Sequence, residues 1–90
     1  MTISKLKDLI GLKVLFKVEY DDYYKEVIGI VSNAFLDAYY FYEKQNEPIY
    51  ALVCFTPVDD KKVYKDISED EYISIFEETY NLEDIITIIN

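Results

Sequence analysis

From residue 12 onward the chain alternates between apolar and polar residues, which is the pattern of a strand with one buried face. The apolar face of this strand comprises Val14, Phe16, Val18 and Tyr20. Asp21 and Asp22 interrupt the alternation and predict a turn. Residues 24–31 are again apolar and β-branched, and Gly29 among them indicates a bend or bulge. The pattern therefore predicts a hairpin over residues 12–31.

Ahead of this hairpin the apolar positions have helical spacing. They lie at residues 3, 6 and 10, after Thr2 or Ser4 as an N-cap and before Gly11, which can adopt the left-handed conformation that ends a helix. We expect a short N-terminal helix of one or two turns.

Downstream of the hairpin the pattern predicts further strands separated by polar breaks. Ser32 and Asn33 form the first break, and residues 34–43 are rich in aromatic side chains that favour a strand. Residues 49–56 form an apolar run suited to a central strand, and residues 62–67 predict a last strand. Short strands without intervening helices favour an antiparallel meander of four or five strands, forming a small barrel or an open sheet.

The C-terminal part begins with a capping box, in which Ser68 is followed three residues later by Glu71. The apolar spacing beyond it predicts a helix over residues 69–80. For residues 82–90 we favour a second short helix capped by Asn81, with an edge strand as the alternative. The expected fold is α+β in one domain, 1–90, made of a helix-plus-sheet body (1–67) and an acidic helical segment (68–90).

Charge changes this picture, because all nine Lys residues lie before residue 66. The net charge is −9, and the last 25 residues carry eight carboxylates and no cation. Those at residues 69–71 suit the positive end of a helix dipole. Glu77, Glu78, Glu83 and Asp84 have no such structural reason. An anionic segment of this kind steers basic partners toward one side of the molecule.

The missing residue types argue against an enzyme. The chain has no His and no Arg, and its single Cys54 lies in an apolar run without a base to activate it. Gly11 and Gly29 are isolated, so no glycine-rich phosphate loop exists. The paired acids lack the alternating spacing of a calcium loop. We therefore expect no catalytic residues, no metal site and no cofactor.

The compartment follows from the same features. A single Cys makes no internal disulfide, and the first residues lack the apolar stretch of a signal peptide. No apolar run approaches the roughly 20 residues that span a bilayer. These features predict a cytoplasmic protein without a membrane segment.

The ten Tyr residues exceed what a small core accommodates, since each buried hydroxyl needs a partner. Exposed Tyr beside carboxylates, as in residues 19–24, would complement a groove rich in Lys and Arg. We therefore predict a non-catalytic, acidic protein-binding module that docks on a basic, nucleic-acid-binding surface, in the manner of a phage or mobile-element inhibitor of a host defence nuclease. The predicted contact residues are Glu69, Asp70, Glu71, Tyr72, Glu77, Glu78, Tyr80, Glu83 and Asp84.

Two other functions remain open. A small barrel could bind nucleic acid or a small ligand on the strand aromatics at residues 39–42, although the charge balance argues against direct nucleic-acid binding. A toxin-neutralising immunity protein would share the size and acidity. A homodimer through the Ile-rich end, residues 85–89, is a further alternative.

Overall fold

A computed structural model describes residues 5–37 and 50–90 of the chain. These residues form an α+β unit with one α-helix and a five-stranded antiparallel sheet. The strands are β1 (Lys13–Glu19), β2 (Tyr24–Asp37), β3 (Tyr50–Thr56), β4 (Thr79–Asn81) and β5 (Ile85–Ile88), and the helix is α1 (Glu69–Glu77). The sheet order is β4-β3-β2-β1-β5, so the first four strands form a meander and β5 returns to pair with β1.

The two edge strands of the sheet are not hydrogen-bonded to each other, but the sheet is strongly curled. Its two edge strands, β4 and β5, are consecutive in the chain and are separated only by a 3-10 turn, Leu82–Asp84. In a flat sheet with strands about 4.8 Å apart, those edges would lie about 19 Å from each other. A 3-10 turn advances only about 2 Å per residue. The sheet therefore curls until its edges approach each other, and this curl brings the C-terminal residues near β1.

The core lies inside this curl and is dominated by aromatic rings. Phe16 of β1 and Phe55 of β3 stack with ring centroids 3.8 Å apart. Phe76 of α1 and Tyr80 of β4 approach Phe16 edge-on, at 6.2 and 5.2 Å. The alternation predicted for β1 is present, since its burial alternates along the strand and Val14, Phe16 and Val18 are buried.

Gly29 makes room for this ring cluster. We expected a bend or bulge there, but Gly29 pairs regularly with Val14. A Cβ at this position would lie 2.9 Å from Phe16 Cε1 and 3.3 Å from Phe55 Cβ. The glycine is needed for close packing of the rings and not for a change in strand direction.

The break predicted at Ser32 and Asn33 is wrong, because β2 continues through it. The register with β3 shifts between Val31 and Asn33, which is a bulge within a long strand. The Asn33 side chain accepts a hydrogen bond from the Ala34 amide at 3.0 Å, so its polarity serves the strand locally. The strand predicted over residues 34–43 falls partly in β2, and residues 38–43 lie outside the described residues.

The N-terminal helix is only a 3-10 turn, Leu6–Leu9. Residues 1–4, which include the expected caps, lie outside the described residues. Leu9 is the buried residue of this turn, whereas Ile10, which we had placed on the apolar face, is 46% exposed. Three apolar positions at helical spacing were too few to determine which face of this segment is buried.

The strand predicted over residues 62–67 is also wrong, because Lys61–Tyr64 is a 3-10 turn. The Asp60 side chain accepts a hydrogen bond from the Lys62 amide at 3.1 Å, which begins the turn. Buried Tyr64 then anchors it, since its hydroxyl donates to the Ile28 carbonyl at 2.6 Å and accepts from the Val58 amide at 2.9 Å. These side-chain hydrogen bonds outweigh the alternation of a short run.

Helix α1 begins where the capping box places it, with Ser68 Oγ accepting a hydrogen bond from the Glu71 amide at 3.2 Å. The helix ends at Glu77, three residues before the predicted end, because Tyr80 pairs with Val53 in the sheet. The second helix expected after Asn81 is wrong. The chain forms a 3-10 turn and then edge strand β5, which was the alternative. Ile85 and Ile88 pack against the core.

Candidate functional site

A cleft of about 690 Å³ opens between the end of β1 and the segment that joins α1 to β5. Its walls carry two Tyr side chains and charged residues of both signs. The charged and aromatic lining residues are Lys17, Glu19, Tyr20, Glu78, Tyr80, Glu83 and Asp84. It is larger than a groove of about 360 Å³ beside Lys61 and Tyr72, and its excess of carboxylates distinguishes it from that groove.

Three of the acids reach the cleft because β4 is very short. Glu78 precedes β4 and Glu83 and Asp84 follow it, so that a three-residue strand separates them. Asp84 is held in place by a hydrogen bond that its Oδ2 accepts from the Asn81 amide at 3.1 Å. The roll of the sheet then places all three opposite β1.

The lone cation in the lining is already paired. Lys17 Nζ lies 2.9 Å from Glu19 Oε1. The hydrogen bond to Glu19 raises the pKa of Lys17, and the charge of Asp84 raises it further. Within residues 5–37 and 50–90, neither Glu78 nor Glu83 nor Asp84 forms an ion pair. Among the described residues, no cation therefore compensates these three carboxylates of the cleft.

Tyr80 forms part of the wall between cleft and core. Its hydroxyl donates to the Ile75 carbonyl at 2.7 Å, and its ring packs edge-on against Phe16. Burial raises the pKa of Tyr80 to about 12, and the charges of Glu78 and Asp84 contribute to the increase. Tyr80 is thus held by the core, and its role at the cleft is to position the wall.

The turn between β1 and β2 adds aromatic surface beside the cleft. Tyr20, which lines the cleft, stacks on Tyr23 with ring centroids 4.8 Å apart. Lys17 Nζ lies 5.8 Å from the centroid of the Tyr24 ring. Tyr23 and Tyr24 are 54% and 57% exposed, which leaves both rings accessible to a partner. Asp21 and Asp22, also exposed, lie in the same turn.

Glu71 is bound within the protein. Its carboxylate accepts hydrogen bonds from the Tyr20 hydroxyl and from Lys25 Nζ, the latter at 2.9 Å. The hydrogen bond from Tyr20 lowers the pKa of Glu71, with a further contribution from Lys25. Burial raises the pKa of Tyr20, and the hydrogen bond to Glu71 raises it further. Glu71 thus fastens the first turn of α1 to the β1–β2 hairpin.

Apart from Glu71, the structure divides the residues predicted as contacts into three groups. Glu78, Tyr80, Glu83 and Asp84 line the cleft, as described. Glu69 and Tyr72 line a second, smaller groove, where the Tyr72 ring packs on Tyr64 at 5.3 Å. Asp70 and Glu77 are exposed and line neither cavity.

Lys17, Glu19 and Tyr20 of the cleft were not among the predicted contact residues. Glu19 and Tyr20 belong to the run of acids and Tyr at residues 19–24 that suggested a complementary surface. Their proximity to Glu83 and Asp84 depends on the pairing of β1 with β5, which no local pattern shows. Lys17, Glu19 and Tyr20 could have been placed at the cleft only if residues 85–88 had been predicted as a strand.

Features that would indicate metal binding or thiol chemistry are scarce in the described part of the chain. It contains no group of three or more His, Cys, Asp or Glu residues arranged to hold a metal ion. Cys54 is half-buried, with Sγ 3.6 Å from Thr79 Oγ1. The aromatic run at residues 39–42, a candidate base-stacking platform, lies outside the described residues. No helix in residues 5–37 and 50–90 is long and apolar enough to cross a membrane.

Comparisons with models of protein families, with curated proteins and with solved structures gave no match to this chain. Its function must therefore be inferred from its own geometry and charge.

Proposed function

We propose that this protein is a non-catalytic binding module that recognises a basic surface of another protein through its acidic cleft. The observation that carries the proposal is the convergence of Glu78, Glu83 and Asp84 on one cleft without an ion-pair partner among the described residues. A partner's cations would be attracted to these carboxylates and would form charge-assisted hydrogen bonds with them.

The aromatic rings beside the cleft favour a protein partner rich in Arg. Tyr23 and Tyr24 present accessible faces next to the carboxylates. A guanidinium can stack on such a ring and still donate two parallel hydrogen bonds to a carboxylate, which an ammonium cannot do. Exposed aromatic rings next to acids are also typical of interface hot spots.

The class of partner follows from the charge of the whole protein. With a net charge of −9 the protein is attracted to basic surfaces, and clustered Lys and Arg residues are typical of proteins that bind nucleic acids. We therefore propose that it competes with nucleic acid for a host protein, as an inhibitor encoded by a phage or mobile element would. The small size of the protein and its lack of His and Arg residues favour an inhibitor over an enzyme.

Chemical-shift mapping of the ¹⁵N-labelled protein with an oligo-arginine peptide tests where cations bind. We expect saturable shifts at Glu78, Glu83, Asp84 and the β1–β2 turn, and small shifts at Asp70 and Glu77, which are exposed acids outside the cleft. Equal shifts at all acids would reduce the interaction to total charge and refute the proposed site. A single-stranded oligonucleotide serves as the second probe, and its binding in preference to the peptide would favour the nucleic-acid-binding alternative.

A further inference from the structure

A second groove, separate from the acidic cleft, lies between the 3-10 turn Lys61–Tyr64 and helix α1. Its volume is about 360 Å³, and no residue lining it also lines the cleft. Tyr64, Ile67 and Tyr72 supply apolar lining, and Ile73 borders the groove on α1. Lys61 and Glu69 are its two charged lining residues. The groove is thus largely apolar and has one residue of each charge.

Apolar side chains are exposed at this groove. Ile73 is 47% exposed although it lies in the middle of α1, and Val63 in the 3-10 turn is 44% exposed. Residues four apart share a helix face, so Glu69, Ile73 and Glu77 form one stripe along α1. Ile73 is therefore an exposed apolar side chain between two acids on one face of α1, at the border of the groove.

Charge is distributed differently here from the rest of the C-terminal region. The 3-10 turn and the residue after it contribute Lys61, Lys62 and Lys65, while the α1 stripe contributes Glu69 and Glu77. Lys61 and Glu69 line the same groove, yet they form no ion pair with each other or with any other described residue. Both charges are therefore available to an external partner that carries both signs.

We propose that this groove is a two-fold interface with a second copy of the chain. A two-fold axis brings the same patch of both copies together, so Lys61 of each copy would face Glu69 of the other. Ile73 of each copy would at the same time enter the apolar groove of its partner. A purely basic partner would be repelled by the three Lys residues, and a purely acidic one by the α1 stripe. A second copy matches both.

This interface is independent of the proposed binding of a basic partner. The dimer would leave both acidic clefts free, because it uses none of their lining residues. Two clefts on one particle would increase the apparent affinity for a partner with repeated basic sites. The Ile-rich end is a poorer candidate for the contact, since Ile85 and Ile88 pack on the core and only Ile86 of the three is exposed.

Sedimentation velocity at physiological ionic strength tests the proposal. We expect a dimer for the wild-type chain and a monomer for Ile73→Glu. The matched control is Ile86→Glu, which changes the charge equally at a side chain of similar exposure, 46% against 47%, outside the groove. Ile10→Glu, also at 46%, is a second control in a turn. Circular dichroism verifies that each variant is folded.

Exchange of the charges at Lys61 and Glu69 gives the most specific test of the interface. Lys61→Glu places two acids opposite each other across the axis, and Glu69→Lys places two cations there, so each variant alone should be monomeric. An equimolar mixture of the two should form a heterodimer, because every pair across the axis is then of opposite sign. A monomeric wild type, a dimer that survives Ile73→Glu, loss of the dimer in both control variants, or a mixture that stays monomeric would each overturn the proposal.

Discussion

Lys25 Nζ lies 2.9 Å from both carboxylate oxygens of Glu71, although the two residues are 46 positions apart in the chain. Glu71 also accepts a hydrogen bond from Tyr20 at the edge of the cleft. The first turn of α1 is thereby fixed to the β1–β2 hairpin. Because Tyr20 lines the cleft and stacks on Tyr23, the position of both rings beside the cleft depends on this contact.

Replacement of Glu71 by Gln should lower stability near pH 7 but not in acid. The pKa of Glu71 is lowered in the folded protein, so its contribution is present above its usual value of 4.5 and disappears as the pH falls through the folded value. Urea unfolding of wild type and variant should show a gap at pH 7 that closes below about pH 4.5.

Asp70→Asn is the matched control for that measurement. It removes the same charge from the same first turn of α1, but Asp70 is exposed, lines neither cavity and has no cation partner among the described residues. Both variants lose the same interaction with the helix dipole. If the two lower the urea midpoint equally, the contact with Lys25 and Tyr20 contributes nothing to stability.

Replacement of Gly29 by Ala should destabilise the protein by about 1–3 kcal/mol, the usual cost of overpacking a core. The added methyl would lie 2.9 Å from Phe16 Cε1, and the Phe16 ring is already stacked on Phe55. Ser32→Ala, at an exposed position of the same strand, is the control and should change stability little. Thermal unfolding of the two variants gives the comparison; a Gly29→Ala protein as stable as wild type would show that the rings can move apart.

An oligo-arginine peptide should bind more tightly than an oligo-lysine peptide of equal length. The reason is the accessible faces of Tyr23 and Tyr24 beside the cleft, where a cation–π contact contributes roughly 0.5–1 kcal/mol at an exposed site. The double variant Tyr23→Ser with Tyr24→Ser should lose this preference and retain lysine binding. Isothermal titration calorimetry measures both affinities, and an unchanged preference would exclude these rings from the contact.

Local signals in the sequence were sufficient for some elements. Alternation identified β1, and Ser68 with Glu71 identified the start of α1, because these patterns act over a few neighbouring residues. Where tertiary contacts compete, local reasoning was wrong. Tyr64 turns residues 61–64 into a 3-10 turn through two hydrogen bonds to distant backbone groups. Pairing with β1 makes residues 85–88 a strand.

The candidate site shows the same division. Glu78, Glu83 and Asp84 were singled out because they lack the structural reason that residues 69–71 have to be acidic, and the structure brings these three into one cleft. Glu77, chosen on the same ground, does not line it. Glu19 on the opposite wall depends on the roll of the sheet, which follows from the short connection between β4 and β5. The curling of the sheet depends on contacts between residues far apart in the chain, so no local sequence pattern indicates it.

We propose that the position of the carboxylates, and not their number, makes the protein bind basic surfaces. Two triple variants separate these factors. Glu78→Gln with Glu83→Gln and Asp84→Asn neutralises the cleft, whereas Asp59→Asn with Asp66→Asn and Asp70→Asn neutralises exposed acids that line neither cavity. Each removes three charges and changes the net charge from −9 to −6.

Calorimetric titration of an oligo-arginine peptide into these two variants and the wild type is the most direct measurement. We predict that the cleft variant loses at least tenfold in affinity, about 1.4 kcal/mol, while the other variant stays within a few-fold of wild type. Equal losses in both variants would contradict the claim, because affinity would then follow total charge alone.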